Sequence, residues 1–231
     1  MLVNIRGYSL IRYVYNKCLK SKIFKNVVVA TCDKKIFNEI VDHKGQAIMT
    51  SHLHKGCISR IAEAASKIKK IKLDDYICIV QGDEVLVEPK LLNSLCTFVK
   101  KKTKKPNIIN VLSRIKDDKE YKSKSVVKAL VGENGNIINM LRVNRLNNEN
   151  VFNKRLSKYI FRQTGIILIK KKFLIEYIKL RRSFFEIKES IDMLRFIDND
   201  IKVKSYVINK TMIGIDTKKD YINFIKNYKW V

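Results

Sequence analysis

Tyr76-Ile77-Cys78-Ile79-Val80-Gln81-Gly82-Asp83-Glu84 is the stretch that decides how the rest of the chain is read. It starts with an unbroken apolar or aromatic run, largely β-branched, which predicts a central parallel strand buried on both faces. The run stops at Gln-Gly-Asp-Glu, and Pro89 soon opens a predicted helix at Lys90-Leu91-Leu92. A strand that ends in a glycine turn, with an acid at its carboxyl edge, sits where open α/β sheets bind ligands. Gly82 lets the backbone come close to a ligand. Asp83 suits a hard cation such as Mg²⁺, which takes one or two carboxylates beside substrate phosphates. The same residues also spell an ordinary βα connection, and by themselves they leave both readings open.

Upstream, strands and helices alternate. Leu10, Ile11, Val14, Tyr15, Cys18 and Leu19 mark one face of a helix over 9–19. Val27–Ala30 reads as a buried strand, and Asp33 can cap the helix that follows. Ala47-Ile48-Met49 is a short strand, and Ile58, Ile61, Ala62, Ala65 and Ile68 mark a third helix. Downstream of the glycine turn come a helix through Val99 and a strand at 108–112. This alternation with short connections argues for a parallel sheet covered by helices.

The second half differs. Residues 126–131 and 137–143 flank Gly132-Glu133-Asn134-Gly135-Asn136, which predicts a hairpin. Residues 144–157 are polar and read as a loop. Then follow a strand at 165–169, a helix at 171–180, one helix over 186–197, a strand at 202–208 and a last helix capped by Thr217.

At 231 residues the chain suits one α/β domain with a small appended lobe. No apolar run reaches the ~18 residues of a membrane span, no signal peptide is expected at the start, and the expected location is cytoplasmic without a membrane partner. The cysteines (Cys18, Cys32, Cys57, Cys78 and Cys96) are odd in number and form no Cys-x-x-Cys pair, so they read as reduced, mostly core thiols. His43, His52 and His54 lack zinc-ligand spacing. The net charge of +26 is spread along the chain rather than gathered in an arm. Its densest run, Lys100–Lys105, falls at a predicted helix end, where cations are favoured by the dipole, and carries no interleaved aromatics for base stacking. A nucleic-acid partner is therefore not the expectation.

Val80-Gln81-Gly82-Asp83-Glu84, followed by Pro89, resembles the VQGDEP segment of the CMP-Kdo synthetases, the 3-deoxy-manno-octulosonate cytidylyltransferases. Val28-Val29-Ala30-Thr31-Cys32-Asp33 is similar to that family's VVATDD. Met49-Thr50, His54 and Ser59-Arg60-Ile61-Ala62-Glu63 are similar to its MT…H…(S/T)(D/E)R-AEA. Ser125-Val126-Val127-Lys128 resembles N-x-V-K with serine for asparagine. Arg162-Gln163-Thr164-Gly165-Ile166 resembles RH-x-GIY, with glutamine at the usual histidine and Ile167 at the tyrosine. Glu189-Ser190-Ile191-Asp192-Met193-Leu194-Arg195 falls on E-x-LEQLR, and Ile213-Gly214-Ile215-Asp216-Thr217 on TGVDT.

The resemblance implies a three-layer, mostly parallel, nucleotidyltransferase-type (Rossmann-like) α/β sheet over 1–231. A smaller β-rich lobe at about 120–165 would serve sugar binding and dimerisation. It implies transfer of a cytidylyl group from CTP to an eight-carbon ulosonic acid, with Mg²⁺ held by Asp83 and Asp216 and a homodimeric assembly. Arg60 and Gly82 would contact the nucleotide, and Gln81, Gln163, Lys128 and Asp192 the sugar acid. Family members open with a strand and a loop of the form IPARxxSxRLPGKPL that cradles the triphosphate, whereas Met1-Leu2-Val3-Asn4-Ile5-Arg6-Gly7 falls where they read LLDINGK. Loss of one preorganised donor typically costs ~10²–10³ in rate, so these residues alone are expected to bind Mg²⁺-CTP poorly. A catalytically inactive homologue and a basic nucleic-acid-binding protein stand as rival readings.

Overall fold

The computed structural model describes residues 1–5, 7–142, 156–215 and 217–228. In chain order its elements begin with β1 (Asn4–Ile5), β2 (Tyr8–Ser9), α1 (Leu10–Leu19), β3 (Val29–Thr31), α2 (Lys34–Val41) and β4 (Ala47–Met49). They continue with α3 (Cys57–Lys67), β5 (Tyr76–Val80), α4 (Pro89–Lys100), β6 (Ile108–Ser113), α5 (Asp118–Lys122), β7 (Lys128–Val131) and β8 (Ile137–Leu141). The last are β9 (Ile160–Lys170), α6 (Lys171–Lys179), α7 (Phe184–Glu189), α8 (Leu194–Ile197), β10 (Lys204–Ile208) and α9 (Lys218–Asn227). The chain folds into two compact units. The first comprises Met1–Leu53, Val80–Lys105 and Met212–Val231, and the second His54–Ile79 and Pro106–Thr211.

In the first unit β3 and β4 pair in parallel, Ala30 opposite Ile48. Ile11 and Tyr15 of α1 and Ile40 of α2 are buried together against Val29 and Ala47 of this pair. Asp33 caps α2 by accepting from Lys35 N at 2.8 Å. Thr217 caps α9, and Asp220 returns the bond to the Thr217 amide, so two orphan donors are satisfied reciprocally. Pro89 occupies the first turn of α4, where its missing N–H costs nothing.

The second unit is built on a mixed sheet in the order β10-β6-β9-β7-β8, with β5 also paired to β9. β10 and β6 run parallel, while β9 is antiparallel to both β6 and β7. The hairpin at Gly132–Asn136 forms, with Gly135 at φ +71°, a conformation that favours glycine. Its hydrophobic core joins Ile58, Ala62 and Ala65 of α3 to Ile108 and Leu112 of β6, Ile167 and Ile169 of β9, and Phe196 of α8.

Several expectations change. β6, not β5, is the fully buried strand: each of its six residues is buried, whereas in β5 only Ile79 is. β6 lies between β10 and β9, while β5 pairs with β9 alone among the described strands. The helix expected over 186–197 is two short ones, because Ser190 adopts φ +53°, ψ +50° and ends α7 in a left-handed turn. β9 starts at Ile160, earlier than its continuous apolar run. Of the cysteines, all free, Cys18 is buried, Cys32 is exposed and the others are half-buried, so "mostly core" is too strong. The polar loop over 144–157 falls almost wholly outside the described residues. Among those residues, no helix is long and apolar enough to cross a membrane.

Candidate functional site

At the end of β5 the chain enters the Gln81-Gly82-Asp83 turn, which belongs to the first unit. Glu84 N donates to Gln81 O at 3.1 Å and Val85 N to Asp83 O at 2.8 Å. The following loop is pinned where Lys17 Nζ donates to Val85 O at 3.1 Å. Gln81, Gly82 and Asp83 are all half-buried. A Cβ added at Gly82 would come within 2.8 Å of Ile11 Cδ1 and 2.9 Å of Met1 Sδ, so the ends of those two side chains would have to move aside. Ile215 N also donates to Asp83 O, at 3.2 Å. A segment more than a hundred residues later in the chain is thereby tied to this turn, one residue before position 216. Asp216 itself lies outside the described residues.

In the second unit the other candidates fall into two groups. α3 begins at Gly56, which has no side chain to cap it. Asp192 supplies the cap from a distant part of the chain: its Oδ2 accepts from Ile58 N at 3.0 Å. Its negative charge also suits the positive end of the helix dipole. Gly56 is fitted to this acid, since a Cβ there would stand 2.0 Å from Asp192 Oδ1. Arg60 lies two residues beyond Ile58 on the same helix and is half-buried. One turn on, Glu63 accepts from His54 Nε2 at 2.5 Å and from Lys67 Nζ at 2.7 Å.

The other group is Lys128 and Gln163. β7 and β9 pair Lys128 with Arg162, which sets Gln163 beside it, and Gln163 N donates to Val127 O at 2.9 Å. Lys128 is 1% exposed. Its ammonium donates to Ser123 O and Val126 O, each at 2.9 Å, and also to Arg142 O. Burial pushes its pKa down to about 8, the charge of Arg142 adds to this and Glu189 opposes it. An ammonium held this way fastens the ends of the hairpin together.

Asp83 is a hard oxygen donor at the carboxyl end of a strand, and so fits one of the one or two protein carboxylates Mg²⁺ takes beside substrate phosphates. The second expected carboxylate is Asp216, and among the described residues no group of three or more His, Cys, Asp or Glu side chains gathers to hold a metal. Sequence reading missed the pairing of Asp192 with the start of α3. The available signal was a helix opening on glycine, which leaves its first amides to an outside acceptor.

A family model described as cytidylyltransferase matches residues 1–211. The 3-deoxy-manno-octulosonate cytidylyltransferase of Fusobacterium nucleatum is 33% identical over 96% of this chain and 88% of that protein. The same-named protein of Trichlorobacter lovleyi is 28% identical over 95% of this chain and 88% of its own length. Among solved structures, CMP:2-keto-3-deoxy-manno-octonic acid synthetase complexed with CTP superposes with a TM-score of 0.83 at 23% identity, covering 97% of this chain and 89% of that one. A 4-diphosphocytidyl-2C-methyl-D-erythritol synthase from Anaerococcus prevotii gives 0.64 at 12% identity, covering 96% and 87%. The fold is that of these nucleotidyltransferases.

Proposed function

This chain belongs to the cytidylyltransferase family, and from that premise we propose that it joins CTP to 3-deoxy-manno-octulosonate (Kdo). The anomeric hydroxyl of the sugar acid attacks the α-phosphate, pyrophosphate leaves, and CMP-Kdo is the product. Kdo activated in this way serves lipopolysaccharide biosynthesis, and the enzyme would draw on cytoplasmic CTP. The observation that carries the reading is the Gln81-Gly82-Asp83 turn at the end of β5, with Ile215 N bonded to Asp83 O. That bond, one residue before position 216, supports Asp83 and Asp216 serving one divalent ion.

Phosphoryl chemistry of this type asks little covalent work of a protein. It asks for positioning and for compensation of charge. Mg²⁺, when bound, would neutralise phosphate charge and orient the α-phosphate. Asp83, with Asp216, would hold it. Gly82 would contact the nucleotide through its backbone, and Arg60 would offset nucleotide charge. Gln81 and Gln163 would donate to hydroxyls or the carboxylate of the sugar acid. Lys128 and Asp192 would belong to the sugar site while holding, respectively, the β7–β8 hairpin and the start of α3. The inactive-homologue and nucleic-acid readings find no support in the comparisons. By resemblance the assembly is a homodimer, which light scattering on the purified chain checks.

Pyrophosphate release with CTP, Mg²⁺ and Kdo tests the proposal. Turnover with Kdo that exceeds turnover with other sugar acids is the expected result. Release with CTP and a sugar that is not a ulosonic acid would overturn the substrate assignment, and no release with any sugar acid would overturn the activity.

A further inference from the structure

The surface from the end of α6 through α7 is used neither by the core nor by the proposed reaction. Its apolar side chains stand in solvent: Phe184 is 68% exposed, Phe185 56%, Ile178 56% and Ile187 54%. Interleaved with them are the exposed cations Lys179, Arg181, Arg182 and Lys188. The single acid of residues 178–188, Glu186, is turned inward, 2% exposed, and held by Arg195 and Arg182. The exposed side chains from Ile178 to Ser190 are thus apolar or cationic except Ser190 itself, and Glu189 beside it is half-buried. Phe184 and Phe185 meet edge to face at 5.4 Å, and Lys188 sits 5.5 Å from the Phe184 ring, so both rings are held at the surface by each other.

We propose that this face docks on an anionic phospholipid membrane surface. Phe184, Phe185, Ile178 and Ile187 enter the boundary between headgroups and acyl chains, and the four cations meet lipid phosphates. Aromatic and aliphatic groups interleaved with Lys and Arg, with the acid among them, Glu186, withdrawn and Glu176 left as the exposed acid on the α6 side, match a surface that is apolar inside and negative at its rim. A second copy of the chain matches less well, because a two-fold contact would set this cationic face against itself. Single-stranded nucleic acid would stack on the two rings and leave the two isoleucines without a role. The proposal concerns a surface contact and is compatible with the lack of a spanning helix among the described residues.

The test is co-sedimentation of the full chain with phosphatidylcholine vesicles containing about one-third phosphatidylglycerol, near physiological salt. Wild type is expected to bind these and to bind pure phosphatidylcholine about tenfold less. Phe184→Ser/Phe185→Ser keeps every charge and is expected to lower partitioning about tenfold. Arg181→Glu, a second exposed variant with an unchanged melting point, is expected to lower it as well. Removing three charges elsewhere (Lys100→Gln/Lys101→Gln/Lys102→Gln) should change it no more than about twofold. Equal binding by wild type and the phenylalanine double variant would overturn the proposal in favour of whole-molecule charge, and so would no binding at all. An oligomer that the same double variant dissolves would assign the face to a second copy and overturn it too.

Discussion

Glu186→Ala tests how the second unit holds its buried charges. The Glu186 carboxylate is 2% exposed and accepts from Arg195 Nε at 2.7 Å, Arg195 Nη2 at 2.6 Å and Arg182 Nε at 3.0 Å. Arg195 is itself 7% exposed, donates to Tyr177 O at 3.2 Å, and lies 3.9 Å from the Tyr177 ring. Truncation leaves that guanidinium the carbonyls of Tyr177 and Leu180 and a ring but no hydrogen-bonded anion. Stranding a buried charge costs about 3–5 kcal/mol, a large part of a typical stability of ~5–15 kcal/mol. For a chain of this length the melting point should fall by roughly 6–20 °C. Urea denaturation of wild type, Glu186→Ala and Glu186→Leu/Arg195→Met measures the effect. The double variant removes both charges and should recover to within about 1–2 kcal/mol of wild type. A single variant that loses less than about 1 kcal/mol, or a double variant no better than the single, would refute the stranded-charge reasoning. Acid should show the same dependence. Burial raises the Glu186 pKa, but hydrogen bonds and charge from Arg195 and Arg182 outweigh it, and the group lies below its ordinary value. Its stabilisation is therefore complete above the ordinary carboxylate range and is lost as pH falls through and below it. The difference between wild type and Glu186→Gln should shrink on acidification.

Lys128 gives the same slope at higher pH for the opposite reason, because here the charged form is the disfavoured one. Its folded pKa of about 8 lies below the ordinary lysine value, so the folded chain releases this proton first, and stability should rise between about pH 8 and 10.5. Lys128→Met should remove that rise when denaturation curves are compared across this range. Asp83→Asn should leave the melting point within about 1 kcal/mol equivalent of wild type, because the side chain is only half-buried, yet lower pyrophosphate release by ~10² or more. Gly56→Ala should push the Asp192 carboxylate off the start of α3 and cost about 0.5–2 kcal/mol by urea denaturation. Asp192→Ala made on top of it should add little, because the cap is already gone.

Local chemistry was legible where it acts over a few residues. Asp33 and Thr217 announce helix starts, Pro89 sits where a first turn tolerates it, and Gly135 marks the hairpin. The Gln81-Gly82-Asp83 turn could be read because an apolar run ends on it. What could not be read depends on distant partners. Nothing around Ser190 spells a left-handed residue, since serine is tolerated there rather than demanded. The buried state of β6 as against β5 follows from which strands flank each, and strand order is not written in either segment. Asp192 falls on a family motif, but its bond to Ile58 N spans 134 residues and was not foreseen. The inward turn of Glu186 likewise needed Arg195 in place before an acid between exposed Phe185 and Ile187 made sense.

The register of β6 against β9 shifts between Asn110 and Leu112, and the shift is bridged by one side chain. Asn110, wholly buried, reaches with Nδ2 toward the carbonyls of Val111, Thr164 and Ile166 at 3.0–3.3 Å, while Thr164 Oγ1 donates to Val111 O at 2.7 Å. A seam sewn by an amide nitrogen is exposed to chemical ageing. Hydrolysis of that amide to aspartate would swap the donor for an anion facing three carbonyl oxygens, and the strands would be driven apart along the stitch that joins them. Water is kept from Asn110 by the same burial that makes the bond strong, so the lifetime of the seam is tied to the tightness of the sheet around it.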